Sequence, residues 1–426
     1  MLEDCRGLEK NYLSKMLQSK LFPKTIKEAP KDAESVNHKL LVRGGFIDQL
    51  MAGSWTLLPM GFKVVQKINQ VIREEMDATG AQEILMPLLH PKEIWNETGR
   101  WDKAKEVMYQ FQDSRKKEFA LSFTHEEVLL DLTRKHVKSY QDLPLALYHF
   151  STKFRNELRA RSGILRGREF MMKDLYSVHA TEKDFWKYYN LVKDAYIKIF
   201  ERIGFEVRVT EAGGGVFTDN TTHEFQVLSE GGEDTIYYCS KCDWGVNKEL
   251  FSEEKYKKCP KCGGGVIEAK SIEVGNIFPF GTYYSERMRV YYADADGKKI
   301  PVWFGSYGIG STRVMGAWVE VSHDEKGIIW NKTISPFDVH LIELPGAKNA
   351  KAVYGKLRDG GIDVLWDDRD VNAGQKFADA DLIGIPVRLV VSKGTGDKVE
   401  YKQRTKDETE TMTVNELINK LRDVAK

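Results

Sequence analysis

Two stretches of the chain repeat apolar residues every three to four positions. Between Gly61 and Gly80, Phe62, Val65, Ile68, Ile72 and Met76 fall on one helical face, and Gly80 can close the helix. From Thr181 to Arg202, Phe185, Tyr189, Val192, Tyr196 and Ile199 do the same, with Thr181 and Asp184 placed as a capping box. That aromatic stripe reads as core packing. The apolar run EILMPLL at 83–89 is broken by Pro87, which predicts a short strand at a sheet edge or strand end. Residues 145–155 and 168–178 read as two strands around the loop Ala160–Gly167, most simply an antiparallel hairpin. Further strands are expected at 271–280, 287–293 and 300–307, and then a helix over 308–320 entered through glycines.

Past Ser335-Pro336 the pattern changes. Strand-like VHLIEL (339–344), IDVLWDD (362–368) and VRLVVS (387–392) alternate with helix-like 350–361 and 375–384. That alternation predicts a small α/β domain with a mostly parallel sheet. The expected domains are therefore 1–335 and 336–426. Residues 1–45 are charged and mixed, with a linker-like stretch at 24–34.

Composition narrows the class. With 64 Lys+Arg against 63 Asp+Glu, the net charge of +1 argues against a nonspecific polyanion binder but leaves room for local basic patches. The N-terminus lacks an apolar signal core, and there is no long apolar run, so a cytoplasmic protein with no membrane partner is expected. Four of five cysteines form two pairs, Cys239-x2-Cys242 and Cys259-x2-Cys262, inside a module at about 236–268. This spacing fits a four-cysteine zinc ribbon, a closed structural site; paired thiols without metal are the alternative. Cys5 stands apart as an ordinary thiol.

Three arginine-bearing patterns follow in order: KFRNELR at 153–159, GREFMMKD at 167–174 and GIGSTRVMGA at 308–317. No P-loop motif occurs, so arginines are the candidates for holding a nucleoside triphosphate. On a strand, Arg155 and Glu157 would share a face. Arg155 could hold an α-phosphate and a substrate carboxylate, and Glu157 could accept from an adenine amino group; a structural salt bridge is the alternative. Phe170 could stack on adenine or be core. Arg161, Arg166 and Arg168 add charge to the intervening loop. Gly308 and Gly310 would let a ligand approach the backbone, with Arg313 reaching a terminal phosphate.

In this order the three patterns resemble the motifs of class II aminoacyl-tRNA synthetases. FTHEEVLLDL (123–132), TKFRNELRARSGILRGREFMMKDLYSVH (152–179), THEFQVLSEGGED (222–234), SIEVGNIFPFGTYYSE (271–286), SYGIGSTRV (306–314) and WDDRDVNAGQKFADADLIGIP (366–386) are similar to the bacterial-type prolyl-tRNA synthetase family. The resemblance covers about 40 to 426. It implies an α+β catalytic domain, an antiparallel sheet with flanking helices, followed by a smaller α/β anticodon-binding domain. It implies proline activation by ATP with Mg²⁺, transfer to tRNA(Pro), and a homodimer built on the segment through Pro87. Thr124 and Glu126 would receive proline's amine, although Thr124 also fits a helix capping box. His223 and Phe225 would line the proline ring's site, and Glu273 would hold ribose or Mg²⁺. Trp366, Arg369 and Lys376 are candidates for reading anticodon bases, although Trp366 also suits a core. Another class II amino acid ligase and a noncatalytic tRNA-binding paralog are the rivals.

Two departures from the family stand out. Only about forty residues separate Gly232 from Ser271, so no large editing domain fits there; either a separate trans-editing protein clears errors or the errors are tolerated. Ser306 stands where many relatives have cysteine.

Overall fold

The computed structural model describes residues 16–423 apart from 159, 161, 216 and 219. Cys5 and Arg161 lie outside the described residues. A nine-stranded sheet forms the first unit. Its order is Thr222–Leu228, Val207–Ala212, Gly245–Asn247, Asp234–Cys239, Val266–Gly281, Trp303–Ile309, Glu169–His179, Leu145–Phe154 and Gln82–Glu83. The long strand Val266–Gly281 forks the sheet. Its first half pairs with Asp234–Cys239, its second with Thr222–Leu228 on one side and Trp303–Ile309 on the other. The expected hairpin is present, with Phe154 opposite Glu169.

Both periodic helices form, over Pro59–Ala78 and Glu182–Ile203. The second buries all five residues of its stripe. Its capping box is half made: Thr181 accepts from the Asp184 N–H, while the Asp184 carboxylate turns to His179 Nδ1 at 2.6 Å. In the first helix Val65, Ile68, Ile72 and Met76 are buried but Phe62 is exposed. With the helix Ser311–Val321 they cover one face of the sheet, here the back, against Ile272, Val274, Ile277, Tyr307 and Ile309. The expected 83–89 strand is split: Glu83 ends the strand Gln82–Glu83, Leu89 opens Leu89–Pro91 in a separate sheet, and Pro87, which supplies no N–H, lies between them; Leu85 and Leu89 stay exposed. The 287–293 strand is cut to Tyr291–Ala293 by a short helix, Tyr283–Arg287.

The second sheet runs in the order Val364–Asp367, Val339–Glu343, Val387–Val391, Val399–Gln403 and Thr409–Met412. The first three strands are parallel as expected, and an antiparallel hairpin extends them. Met16–Ser19 lies on its edge: Leu17 bridges Trp366, and Ser19 donates from N–H and hydroxyl to Asp368 at 2.9 and 2.7 Å. Met16 N–H also donates to the Tyr354 hydroxyl at 3.1 Å, and Gln18 Oε1 meets His340 Nε2 at 2.7 Å. Arg404 further ties the units through a two-pronged pair with Asp324, both contacts 2.7 Å. No helix among the described residues is long and apolar enough to cross a membrane.

Candidate active site

The strand that carries KFRNELR leaves the ladder at Phe154, so Arg155 and Glu157 are placed by loop contacts and not by strand alternation. The Arg155 N–H donates to the Arg168 carbonyl at 2.9 Å, and Arg168 Nε donates to the Glu157 carbonyl at 3.1 Å. Arg155, Glu157, Arg166, Phe170, Glu273, Gly308, Gly310 and Arg313 then line one cavity of about 160 Å³ on the front of the sheet. Arg168 braces its wall through those two contacts. Gly308 faces Met172: a Cβ there would sit 2.3 Å from its Cε.

The cavity's cations are poorly neutralised. Among the described residues Arg155 has no carboxylate within 4 Å; its Nε donates to the Phe123 carbonyl at 3.4 Å, and its guanidinium lies 5.3 Å from the Phe170 ring. Arg313 reaches Glu273 only at 3.8 Å, and its Nε has no hydrogen-bond partner among the described residues. Arg166, 43% exposed, sits 3.8 Å from Glu157 and 3.6 Å from Glu233. Burial pushes the Glu273 carboxyl up, and Arg313 opposes that. A buried guanidinium without a carboxylate is a ready partner for phosphate or carboxylate oxygens.

Beside it stands the T-x-E loop. The helix Glu126–His136 starts after His125, and Thr124 makes no side-chain cap. Its hydroxyl instead donates to Glu126 Oε2 at 2.6 Å. Glu126, 2% exposed, also accepts from Arg100 Nη2 at 2.8 Å and from the Ser306 hydroxyl at 3.1 Å. Arg100 spends its other contacts on Glu127, from Nε at 2.7 Å and Nη2 at 2.5 Å. The rings of Trp95, Phe123, Phe217 and Tyr284 surround that guanidinium. The Arg100–Glu127 pair was not singled out from sequence, since nothing local pairs residues 27 apart.

A second buried network lies underneath. Lys153 Nζ contacts Asp174, His125 Nδ1 at 2.7 Å, His149 Nε2 at 3.3 Å and Ser151 Oγ at 2.7 Å. His125, His149 and Asp174 are close enough together to hold a metal, but the lysine ammonium already touches all three. Burial pushes the His125 imidazole far below its ordinary range, with the Lys153 charge adding to the shift. Period two along the hairpin could have found this: Asp174 shares a face with Phe170 and Met172.

His223 and Phe225 are not in the site. Strand alternation turns them to the back, where His223 Nδ1 meets the Tyr189 hydroxyl at 2.7 Å and Phe225 packs on Tyr196 and Phe200. The front carries Glu224 and Gln226 instead. Glu224 is 9% exposed and pushed up to about 8, by burial first and by Glu273 second.

The four ribbon cysteines do converge. Their sulfurs lie within 4.8 Å of one another, Cys239 to Cys262 at 3.4 Å and Cys242 to Cys259 at 3.5 Å. A tetrahedron of Zn–S bonds near 2.3 Å implies edges of about 3.8 Å, so the donor set and spacing fit zinc.

The anticodon candidates are engaged internally. Arg369 pairs with Asp367 at 2.7 Å and Asp379 at 2.8 Å. Lys376, 2% exposed, donates to the Glu343 and Asp367 carbonyls at 2.6 and 3.2 Å. Trp366 packs on Tyr354, and its indole N–H donates to Glu343 at 3.1 Å. These contacts tie all three side chains into the domain.

Residues 109–322 match the tRNA synthetase class II core domain (G, H, P, S and T), and residues 338–424 match the anticodon binding domain. The chain is 40% identical to a proline–tRNA ligase of Agrobacterium fabrum over 440 residues, covering 95% of this chain and 99% of that one. A proline–tRNA ligase of Sulfurihydrogenibium is 35% identical over 561 aligned positions, covering 96% of this chain and 99% of that one. That alignment is longer than the 426 residues here, so the relative carries a stretch this chain lacks. Among solved structures, prolyl-tRNA synthetases from Cryptosporidium parvum and Giardia lamblia share the fold, each with a TM-score of 0.74. The first is 16% identical and covers 91% of this chain and 74% of its own; the second is 18% identical and covers 90% and 77%. Two sheets, a front-face arginine cavity and this extent of identity converge on one statement: the chain belongs to the proline–tRNA ligase family.

Proposed function

We propose that the protein activates L-proline with ATP and transfers it to tRNA(Pro). The observation that carries this is the pairing of opposite charges at adjoining positions: Arg155, without a carboxylate partner among the described residues, its Nε on the carbonyl of Phe123, directly before the loop that presents Glu126. A zwitterion fits that pair, its carboxylate on Arg155 and its secondary ammonium on Glu126 and Thr124. Proline's carboxylate then attacks the α-phosphorus of ATP, the bond to the β-phosphate oxygen breaks, and pyrophosphate leaves.

Arg155 holds the α-phosphate, Arg313 and Arg166 the outer phosphates, Arg168 their wall, and Phe170 with Glu157 the adenine. Gly308 and Gly310 let the backbone approach the ligand. Positioning and charge neutralisation carry most of the barrier reduction. Glu273 would help hold ribose or Mg²⁺, and Mg²⁺ would supply charge neutralisation for the phosphates. Zn²⁺ on Cys239, Cys242, Cys259 and Cys262 would hold the ribbon as a structural ion. Exposed Leu85 and Leu89, on the segment after the first helix, support a homodimer. The reaction belongs in the cytoplasm with its tRNA. A proline pocket rejects the smaller alanine by only about 1–3 kcal/mol per missing methylene, so either a separate trans-editing protein clears the error or the error is tolerated.

The test is amino-acid-dependent ATP–pyrophosphate exchange with proline, alanine, cysteine and threonine, followed by charging of tRNA(Pro). Strong exchange with proline is expected. No exchange from folded, zinc-loaded protein would overturn the proposal in favour of a noncatalytic RNA-binding role, and preference for threonine would favour another class II ligase.

A further inference from the structure

Glu224 is buried among oxygens that lack donors. Its Oε2 accepts from Gln226 Nε2 at 2.8 Å and from Asn247 Nδ2 at 2.9 Å. Around it, Thr210 Oγ1, Gln226 Oε1 and Asn276 Oδ1 are buried without hydrogen-bond partners among the described residues. Thr210 and Asn276 are its register partners on the two flanking strands. Asn276 in turn donates from Nδ2 to Glu273 Oε1 at 3.2 Å, and Glu273 faces Arg313 across the nucleotide cavity. Asn247 belongs to the short strand inside the cysteine module.

We propose that Glu224 is a positioning residue that works as the neutral carboxylic acid: its O–H donates to the orphaned Asn276 oxygen, fixing the Asn276 amide and through it Glu273, so that Asn247, Glu224, Asn276 and Glu273 form a chain of contacts from the cysteine module to the nucleotide pocket. An ionised Glu224 has no hydrogen to give, so it leaves the Asn276 and Gln226 amide oxygens, which can only accept, both unpaired, whereas the neutral acid pairs one of them; Thr210 Oγ1 carries its own hydrogen. The charged groups facing it are acidic. Glu273 lies on the adjoining strand and Asp234 on the module's first strand, and no cation is paired with Glu224 among the described residues. Burial and these two neighbours all favour the neutral form, while the amides of Asn247 and Gln226 oppose it. The proposal rests on the nucleotide reading of the Arg155–Arg313 cavity.

The experiment is calorimetric binding of ATP with Mg²⁺, without proline or tRNA, across neutral to alkaline pH. Glu224→Gln keeps the shape and supplies an N–H in place of the O–H. It should bind within about twofold of the parent at neutral pH, whereas Glu224→Ala should lose about tenfold, the scale of one hydrogen bond to a charged-group network. The parent should weaken as pH rises through about 8, and Glu224→Gln should stay flat. Asn247→Ala removes a donor that favours the ionised form, so its midpoint should move up. If Glu224→Ala fails to fold, Glu224→Asp serves, since it keeps the acid but shortens its reach, and it should weaken binding. Loss in Glu224→Gln equal to that of the alanine or aspartate variant, or a flat parent profile, would overturn the proposal. No ATP binding by the parent would sink the nucleotide reading itself.

Discussion

Glu126→Gln is the sharpest test of the amine end of the pocket. The substitution keeps shape and volume and removes one negative charge. The fold should survive it, because the buried guanidinium of Arg100 keeps its two-pronged pair with Glu127 at 2.5 and 2.7 Å. What is lost is the carboxylate that we propose faces the substrate's ammonium. Removing one partner of a buried charge pair at a binding interface costs about 2–5 kcal/mol. The lower end of that range suits Glu126, since Arg100, Thr124 and Ser306 already occupy part of its capacity. At about 1.4 kcal/mol per tenfold, 2–3 kcal/mol predicts a rise in the proline KM of roughly 30- to 150-fold. The ATP KM should stay near the parent value, because Glu126 does not line the nucleotide cavity. Pyrophosphate exchange at saturating ATP with varied proline reads the first, and the converse titration reads the second. A proline KM within threefold of the parent would refute the placement of the amine on Glu126. An equal rise in both constants would point to a general collapse of the pocket.

Other outcomes follow from the same contacts. Metal analysis should find one zinc per chain, and Cys242→Ser with Cys259→Ser should abolish it and lower the melting temperature; a metal-free parent with unchanged stability would contradict the ribbon reading. Lys153→Met leaves Asp174 buried without its cation and should destabilise by about 3–5 kcal/mol. The double variant with Asp174→Leu should recover much of that loss in thermal denaturation, and strict additivity would show that the pair does not interact. Asp324, paired with Arg404, is held down to about 2, so the stability it contributes is present above the ordinary aspartate range and is lost as pH falls from about 4 towards 2. Arg404→Gln should flatten that part of the acid-denaturation profile; an unchanged profile would remove the bridge from the account.

How much of this was readable beforehand depended on how local each signal was. The helix Glu182–Ile203, the 145–179 hairpin, the βα alternation after Ser335 and the cysteine spacing each depend on residues close in sequence, and each was legible. The choice of sheet face was not. Period two at THEF divides His223 and Phe225 from Glu224 and Gln226, but only the tertiary position of the helix carrying Tyr189 and Tyr196 decides which pair meets it. The partners of Arg369 and Lys376 were not legible, because a sequence records charge and not its satisfaction; Asp367 and Asp379 pair with the arginine, and two carbonyls accept from the lysine. Arg100 was invisible for a related reason. Its meaning comes from two glutamates and four rings gathered from four separate segments.

The strap of Met16–Ser19 on the edge strand Val364–Asp367 has a consequence for assembly of the chain during synthesis. Ribosomes deliver residues 16–19 first and their sheet partner some 350 residues later. The strap therefore waits through production of the whole first unit before it can dock, and loop-closure entropy places its contacts among the last to form. Until then the Val364–Asp367 edge is an open row of backbone donors and acceptors, the kind of surface on which chains aggregate. The strap acts as a late seal on that edge.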